Sequence, residues 1–320
     1  MAGSLNYWHA GAAGVSRIGG PVTMLELPGP RRPGTGEVLL DVRAGGAGHW
    51  DEFVRTGGWD TGARPPMALG VEAAGRVIAV GDEVSGIAVG DAVTTHSLPV
   101  REQGSWAEQY LVAAADVAPV PAGVSWDAAA ALPVPALTAD QALAALDILP
   151  GQALLVHGAG GVTGGLLVQL AARQGARVVA TAGPGQAARI GAAGAAAVLD
   201  YHDAGWPSQA RTLTGGGADA AVNAARSGAG DALRTVRDGG RLAAITGDPP
   251  PAARGVTVTT VQVVPDGSRL RMLARLLGQG AISITVGGWY PLEQAGEALA
   301  RASQGTHGAA VVIRPDVGPR

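Results

Sequence analysis

The residues Gly158-Ala159-Gly160-Gly161-Val162-Thr163-Gly164 join one apolar segment, 153–157, to another, 164–174. Glycines at 158, 161 and 164 form Gly-x-x-Gly-x-x-Gly. That spacing serves a particular chemistry. A tight turn brings backbone against a pyrophosphate, the next helix presents its free N–H groups, and side chains would block the approach. In a chain with 51 glycines the run alone is equally well explained as a turn. A strand before it and a helix after it raise it to a dinucleotide cradle, made by Gly158, Gly160, Gly161, Val162 and Gly164.

The next strand, 177–181, runs into Thr181-Ala182-Gly183-Pro184-Gly185. Sites for NAD place an acidic residue there to hold the adenosine ribose. None is present, so NADP(H) is favoured over NAD(H), with Thr181 and Gly183 at the ribose end. Arg189 is the candidate cation for the 2′-phosphate, and a solvated helix face is its alternative. Tyr201, at the following strand end, is a candidate helper. Asn223 and Thr246 end strands on the cofactor side. Asn223 meets the ribose or carboxamide, or else simply caps its strand.

Composition prunes the remaining chemistry. The chain has 320 residues, no cysteine, and 23 basic residues that are all arginine. Disulfides, thiol nucleophiles, thiolate-ligated zinc, lysine Schiff bases and a Walker-A lysine are thereby excluded. A net charge of −3 without a basic run argues against nucleic acid as partner. Residues 1–20 lack the basic and apolar regions of a signal peptide. The uncharged stretch 148–172 is interrupted by six glycines, and reads as strand, turn and helix rather than a membrane span. The expectation is a cytoplasmic protein.

Two kinds of element must position these residues. Up to about residue 120, short strands at 38–42 and 71–80, and a turn at 89–93 that leads into another strand, are punctuated by glycines, as in a small antiparallel barrel. Ser125-Trp126-Asp127 starts a helix that Pro133 and Pro135 break, and a helix resumes at 138–146. Strands at 153–157, 177–181, 197–200, 220–223 and 241–246 then alternate with helices at 164–174, 186–190, 206–213 and 229–236. This is the pattern of a doubly wound parallel sheet. An alternating strand at 256–261 suits an edge. A helix from 265 to about 277, another at 293–301 and a strand at 309–313 complete the chain. The chain thus changes character near residue 125, from short strands and turns to an alternating α/β pattern.

Several stretches together resemble the medium-chain dehydrogenase/reductase superfamily, and most closely its zinc-free quinone oxidoreductase (zeta-crystallin-like) branch. They are Gly36-Glu37-Val38-Leu39 with Asp51; Leu69-Gly70-Val71-Glu72-Ala73-Ala74-Gly75; Val89-Gly90-Asp91-Ala92-Val93; and Gly104-Ser105-Trp106-Ala107-Glu108. Ala129-Ala130-Ala131-Leu132-Pro133, Leu137-Thr138-Ala139, the glycine loop with Val168-Gln169-Leu170-Ala171, Gly239-Gly240-Arg241 and Pro291-Leu292-Glu293-Gln294-Ala295 follow in family order. The resemblance implies a GroES-like barrel domain at 1–124, interrupted by a Rossmann NADP(H)-binding domain at 125–263, a return to the barrel domain at 264–320, and hydride transfer in the cleft between them. It also implies a homodimer paired through a Rossmann edge, for which 256–261 is the candidate, and a nicotinamide contact from Thr138.

The departures from the family are specific. Zinc alcohol dehydrogenases carry Gly-x-Cys-His and Gly-His-Glu where this chain reads Gly46-Ala47-Gly48-His49 and Gly70-Val71-Glu72. His49 and Glu72 are too few ligands for zinc, so no metal is expected. The quinone reductase branch has Asn-Pro where Gly48-His49 stand, and Gly-Lys where Gly308-Ala309 stand.

The resemblance places the catalytic candidates. His49 is a proton donor or oxyanion stabiliser, or a loop histidine facing solvent. Trp50, Phe53 and Trp59 form an apolar wall for a flat acceptor, or fill the core. His96, beside Ser97 and Trp106, is a candidate acid. Tyr290 and Tyr7 are further proton donors, with packing as their alternative. Asp51 matches a family position, where structural hydrogen bonding competes with catalysis. Ser125 and Asp127 are caps rather than parts of a hydrolase triad, and His157 is a core histidine.

The resulting expectation is an NADPH-dependent, zinc-independent reductase of a small conjugated ketone, enoyl or quinone acceptor. The alternatives are an enoyl or ketone reductase tailoring a polyketide or other secondary metabolite, and a non-enzymatic NADPH-binding protein of crystallin type.

Overall fold

A computed structural model describes residues 9–315. They form two units, 9–134 with 265–315, and 135–264. Tyr7 lies outside the described residues.

The first unit begins with β1 (His9–Val15) and β2 (Thr23–Pro28), an antiparallel pair. Sequence reading placed no strand here, because the alanine- and glycine-rich β1 has a single β-branched residue to signal one. β3 (Glu37–Ala47) is buried along nearly its whole length and leads into α1 (His49–Thr56). Next come β4 (Met67–Ala68), β5 (Glu72–Val80), β6 (Ala92–His96), β7 (Gln109–Ala113), β8 (Val117–Pro119) and α2 (Trp126–Ala130). As expected, the Ser125 hydroxyl caps α2 by accepting from the Ala128 N–H.

The segment at 49–56, read as a loop, is a helix. Gly48 is its extended N-cap, the Asp51 carboxyl accepts the Gly48 N–H, and Gly57 ends it in the left-handed region. Pro133 and Pro135 do not break a helix. α3 (Pro133–Leu146) starts at Pro133 and contains Pro135 in its first turn, where no intrahelical N–H is needed. The division between units falls inside α3, after Val134, rather than at 124.

The second unit alternates strand and helix: β9 (Ala153–His157), α4 (Val162–Arg173), β10 (Arg177–Ala182), α5 (Ala187–Ala192) and β11 (Ala197–Asp200). It continues with α6 (Trp206–Leu213), β12 (Ala218–Asn223), α7 (Ala229–Thr235), β13 (Val236–Ala244) and β14 (Thr257–Thr260). The six strands are parallel, in the order β11-β10-β9-β12-β13-β14. The chain winds outward from β9 to one side, then returns to lay β12 on the other. The strand order therefore switches between β9 and β12, where open sheets bind ligands at their carboxyl ends. β9 is buried at every position, as a central parallel strand must be. β14 pairs with β13 alone and forms one edge.

The chain then returns to the first unit with α8 (Gly267–Gly278), β15 (Thr285–Pro291), α9 (Ala295–Gln304) and β16 (Ala309–Arg314). β16 pairs antiparallel with β3 and parallel with β15. The main sheet of this unit runs β15-β16-β3-β5-β6-β8, with β7 also on β3. Among the described residues, no helix is long and apolar enough to cross a membrane.

Candidate active site

The glycine loop leaves β9 and enters α4, and its glycines are glycine for different reasons. Gly158 has a φ of +87°, and a Cβ there would lie 2.8 Å from the backbone of Ala224 and Ala225. A Cβ on Gly164 would lie 2.2 Å from the Gly158 carbonyl oxygen, so Gly164 lets α4 close on the loop. Gly160 and Gly161 meet no such constraint: their nearest neighbours would be 3.7 Å from a Cβ. α4 begins at Val162 behind the N-cap Gly161, which has no side chain to occupy the first-turn N–H groups. The loop thus shows a bare helix N-terminus flanked by two glycines that the chain's own packing does not require. This donor set fits a pyrophosphate.

Side chains beneath the loop hold it. Thr181 is fully buried, and its Oγ1 accepts from the Gly158 N–H at 3.1 Å and contacts His157 Nδ1 at 2.7 Å. Thr181 therefore braces the loop from below rather than lining its ribose end. His157 stacks on Trp206, with ring centroids 4.6 Å apart, and is the core histidine expected. Arg189 lies on no solvated face. It is half-buried, Nη2 donates to the Gly160 carbonyl at 2.8 Å, and burial lowers its pKa.

Asn223 proves to be a strand cap. Nδ2 donates to the Ala225 carbonyl and to Thr246 Oγ1, while Oδ1 accepts from the Ala225 N–H. Both amide hydrogens are thereby used within the chain. Thr246 in turn donates to Asp248, whose other oxygen accepts the Ser227 N–H. Asp248, which sequence reading missed, lashes together the loops after β12 and β13. Thr138 lies on α3, half-buried.

Around Gly183 the structure gathers three side chains. A Cβ on Gly183 would be 3.3 Å from Gln186 Oε1, 3.7 Å from the Tyr201 ring and 3.8 Å from His202 Cε1. Gln186 and His202 were not singled out from the sequence. The signal for His202 was its place beside Tyr201, just past a strand end.

In the first unit, the ends of β3, β5 and β6 bring Gly46, Glu72 and His96 onto neighbouring strands. Beyond β3 the Trp50 indole folds over Gly48. A Cβ on Gly48 would sit 2.3 Å from the ring. The indole thus fills the space where a side chain at position 48 would begin. Trp50 Nε1 is buried and makes no hydrogen bond within the chain. Among the described residues no group of three or more His, Cys, Asp or Glu side chains comes together.

His96 is fully buried, and its Nδ1 lies 2.9 Å from the Val71 carbonyl oxygen. A carbonyl only accepts, so Nδ1 carries the proton and Nε2 presents a bare lone pair. Burial pushes the imidazole down to about 4. His96 is therefore a neutral acceptor near pH 7, not the acid expected. Asp51 also leaves the catalytic set. It is fully buried at the start of α1, where burial pushes its carboxyl up to about 8 against the pull of the Gly48 N–H. Tyr290 packs with Trp59 against the core formed by Val54, Leu292, Leu299 and Ile313, which supports packing over proton donation. Phe53 is exposed and touches His49 edge-on, ring centroids 4.8 Å apart, at the start of α1.

Residues 34–122 match the alcohol dehydrogenase GroES-like domain, and residues 193–313 match the zinc-binding dehydrogenase family. Alcohol dehydrogenase 1 of Emericella nidulans is 30% identical over 191 residues, 52% of this chain and 54% of that protein. The quinone oxidoreductase of Lama guanicoe is 33% identical over 182 residues, 55% of this chain and 53% of that protein. The chain spans about half the length of these curated relatives. A mycobacterial protein solved in complex with NADPH superposes with a TM-score of 0.83 at 28% identity, covering 96% of this chain and 100% of that one. The chain has the mixed α/β architecture of this family, a GroES-like domain and a Rossmann-type parallel sheet. The chain belongs to the medium-chain dehydrogenase/reductase superfamily and is of its quinone oxidoreductase type.

Proposed function

We propose that this chain is an NADPH-dependent, zinc-independent reductase that delivers hydride to a small conjugated ketone, enoyl or quinone acceptor. The observation that carries the reading is the pair Gly160 and Gly161. Neither is forced to be glycine by its neighbours or by a positive φ, and both flank the open N-terminus of α4. A ligand whose phosphates approach the backbone accounts for them. Zinc independence is supported by Gly48, Val71 and the Trp50 ring at the places where the family's ligands would stand.

NADPH, when bound, supplies the hydride that reaches the β-carbon of the acceptor. The chain's residues hold its phosphates on the α4 N–H groups, with Thr181 and Arg189 fixing the loop. Charge developing on the acceptor oxygen needs a donor. Trp50 Nε1–H is a buried donor without a partner, whereas His96 Nε2 can only accept. The final proton comes from His49 or water. A homodimer paired through the free edge of β14 belongs to the same reading.

The test is direct. Purified protein is mixed with NADPH and a panel of simple quinones and enones, and NADPH absorbance is followed after chelation of metals. Chelator-resistant oxidation of NADPH that depends on acceptor is expected. Tight NADPH binding without turnover of any acceptor would favour the crystallin-type alternative, and failure to bind either nicotinamide nucleotide would end the reading.

A further inference from the structure

The end of β11 carries a pair that hydride chemistry does not use. Asp200 is the in-register neighbour of Ala182 across the β10–β11 ladder, one strand out from where an NAD site keeps its acidic residue. Asp200 Oδ1 accepts from the His202 backbone N–H at 3.0 Å and lies 2.6 Å from His202 Nδ1. These contacts, the backbone N–H first, hold the Asp200 carboxyl below its usual range. An ionised carboxylate only accepts, so Nδ1 is the protonated nitrogen and Nε2 is the free end of the ring.

That ring forms one wall of the space beside Gly183, with Gln186 and Tyr201 as the others; Tyr201 and His202 have ring centroids 4.1 Å apart. Arg189, the cation expected here, is already donating to the Gly160 carbonyl. No lysine exists in the chain to replace it.

We propose that His202, held by Asp200, is the residue that reads the 2′-phosphate of NADPH. This rests on the NADPH reading above and names its specificity determinant. As an imidazolium, His202 donates from Nε2 to the phosphate in a charge-assisted hydrogen bond. The contact with His202 also engages a carboxylate that would otherwise repel the phosphate and accept a ribose hydroxyl. Removing the imidazole therefore has two effects in the same direction: the phosphate loses a donor, and Asp200 is released to favour NADH.

The experiment measures dissociation constants for NADPH and NADH by tryptophan fluorescence, without any acceptor, in the wild type and three variants. His202 is largely exposed, so its replacement leaves the fold intact. His202→Ala is expected to weaken NADPH about tenfold or more, the scale of one charge-assisted contact, while NADH holds or tightens. His202→Arg is expected to keep the NADPH preference. Arg189→Ala is expected to weaken both nucleotides alike, through the loop. If the wild type binds NADH as tightly as NADPH, the NADPH reading itself falls. If the wild type prefers NADPH and His202→Ala keeps that preference, or Arg189→Ala alone abolishes it, only the role given to His202 is overturned.

Discussion

Glu72 Oε2 accepts the Val134 N–H at 2.7 Å, tying β5 to the first turn of α3. Glu72 is 1% exposed, and burial raises its carboxyl well above the usual range. Burial thus favours the neutral carboxylic acid over the carboxylate. The role of Glu72 is to satisfy a helix N–H that has no intrahelical acceptor.

This relationship separates two substitutions. Glu72→Gln keeps the acceptor and the neutral state, and is expected to change stability by less than about 1 kcal/mol. Glu72→Ala leaves the buried N–H unpaired and opens a cavity, at a cost of about 2–4 kcal/mol. Denaturant midpoints at constant slope measure both. Equal losses in the two variants would show that the charge, not the acceptor, is what the fold uses.

Asp51 and His96 give the stability opposite pH slopes. Asp51 titrates near 8 when folded and near 4 when unfolded, so the folded state holds the extra proton between them. Its contribution is complete below the unfolded value and is lost as pH rises toward 8. His96 is depressed to about 4 from an ordinary 6.5, so the unfolded state binds the extra proton and stability is lost as pH falls through that window. Asp51→Asn keeps an acceptor for the Gly48 N–H and removes the first slope. Relative to the wild type it is expected to gain up to about 1.4 kcal/mol per pH unit between roughly pH 5 and 8. Urea unfolding across that range reads the difference, and parallel wild-type and variant profiles would refute it.

The glycine loop offers a contrast inside one motif. A Cβ at position 160 meets nothing nearer than 3.7 Å, so Gly160→Val is expected to fold normally, yet to lose NADPH binding by about a hundredfold or more. Gly164→Val drives a side chain into the Gly158 carbonyl and is expected to lower the melting temperature itself. Melting curves with and without NADPH distinguish them. A Gly160→Val protein that NADPH still stabilises would remove the loop from the cofactor site.

The parallel sheet was legible in the sequence because buried apolar strands and glycine turns recur there at regular intervals. The strands 153–157 and 197–200 fall where expected. The start of α1 was not legible. Its cap is a glycine rather than a polar side chain, and the bond that closes it is donated by the Gly48 N–H to the Asp51 carboxyl. Site residues were legible by backbone position and not by hydrogen-bond capacity. Asn223 stands at the strand end predicted for it, but both of its amide hydrogens are already taken, which only the fold of the following loop decides. His96 was found as a histidine, while its tautomer depends on the Val71 carbonyl across a strand turn.

Trp50 bears two roles that substitution can separate. Its ring packs on Gly48, so Gly48→Ala forces the indole aside. That change is expected to cost about 1–3 kcal/mol of stability, as overpacking does. Trp50→Phe keeps an aromatic ring on Gly48 but removes the Nε1–H. If that hydrogen stabilises charge that appears only as hydride arrives, kcat falls about a hundredfold while KM for the acceptor stays within about threefold. Steady-state kinetics with one quinone, at saturating NADPH, measure both constants. A Trp50→Phe enzyme with unchanged kcat and a raised KM would make the indole a wall of the acceptor site and leave the oxyanion to water or His49.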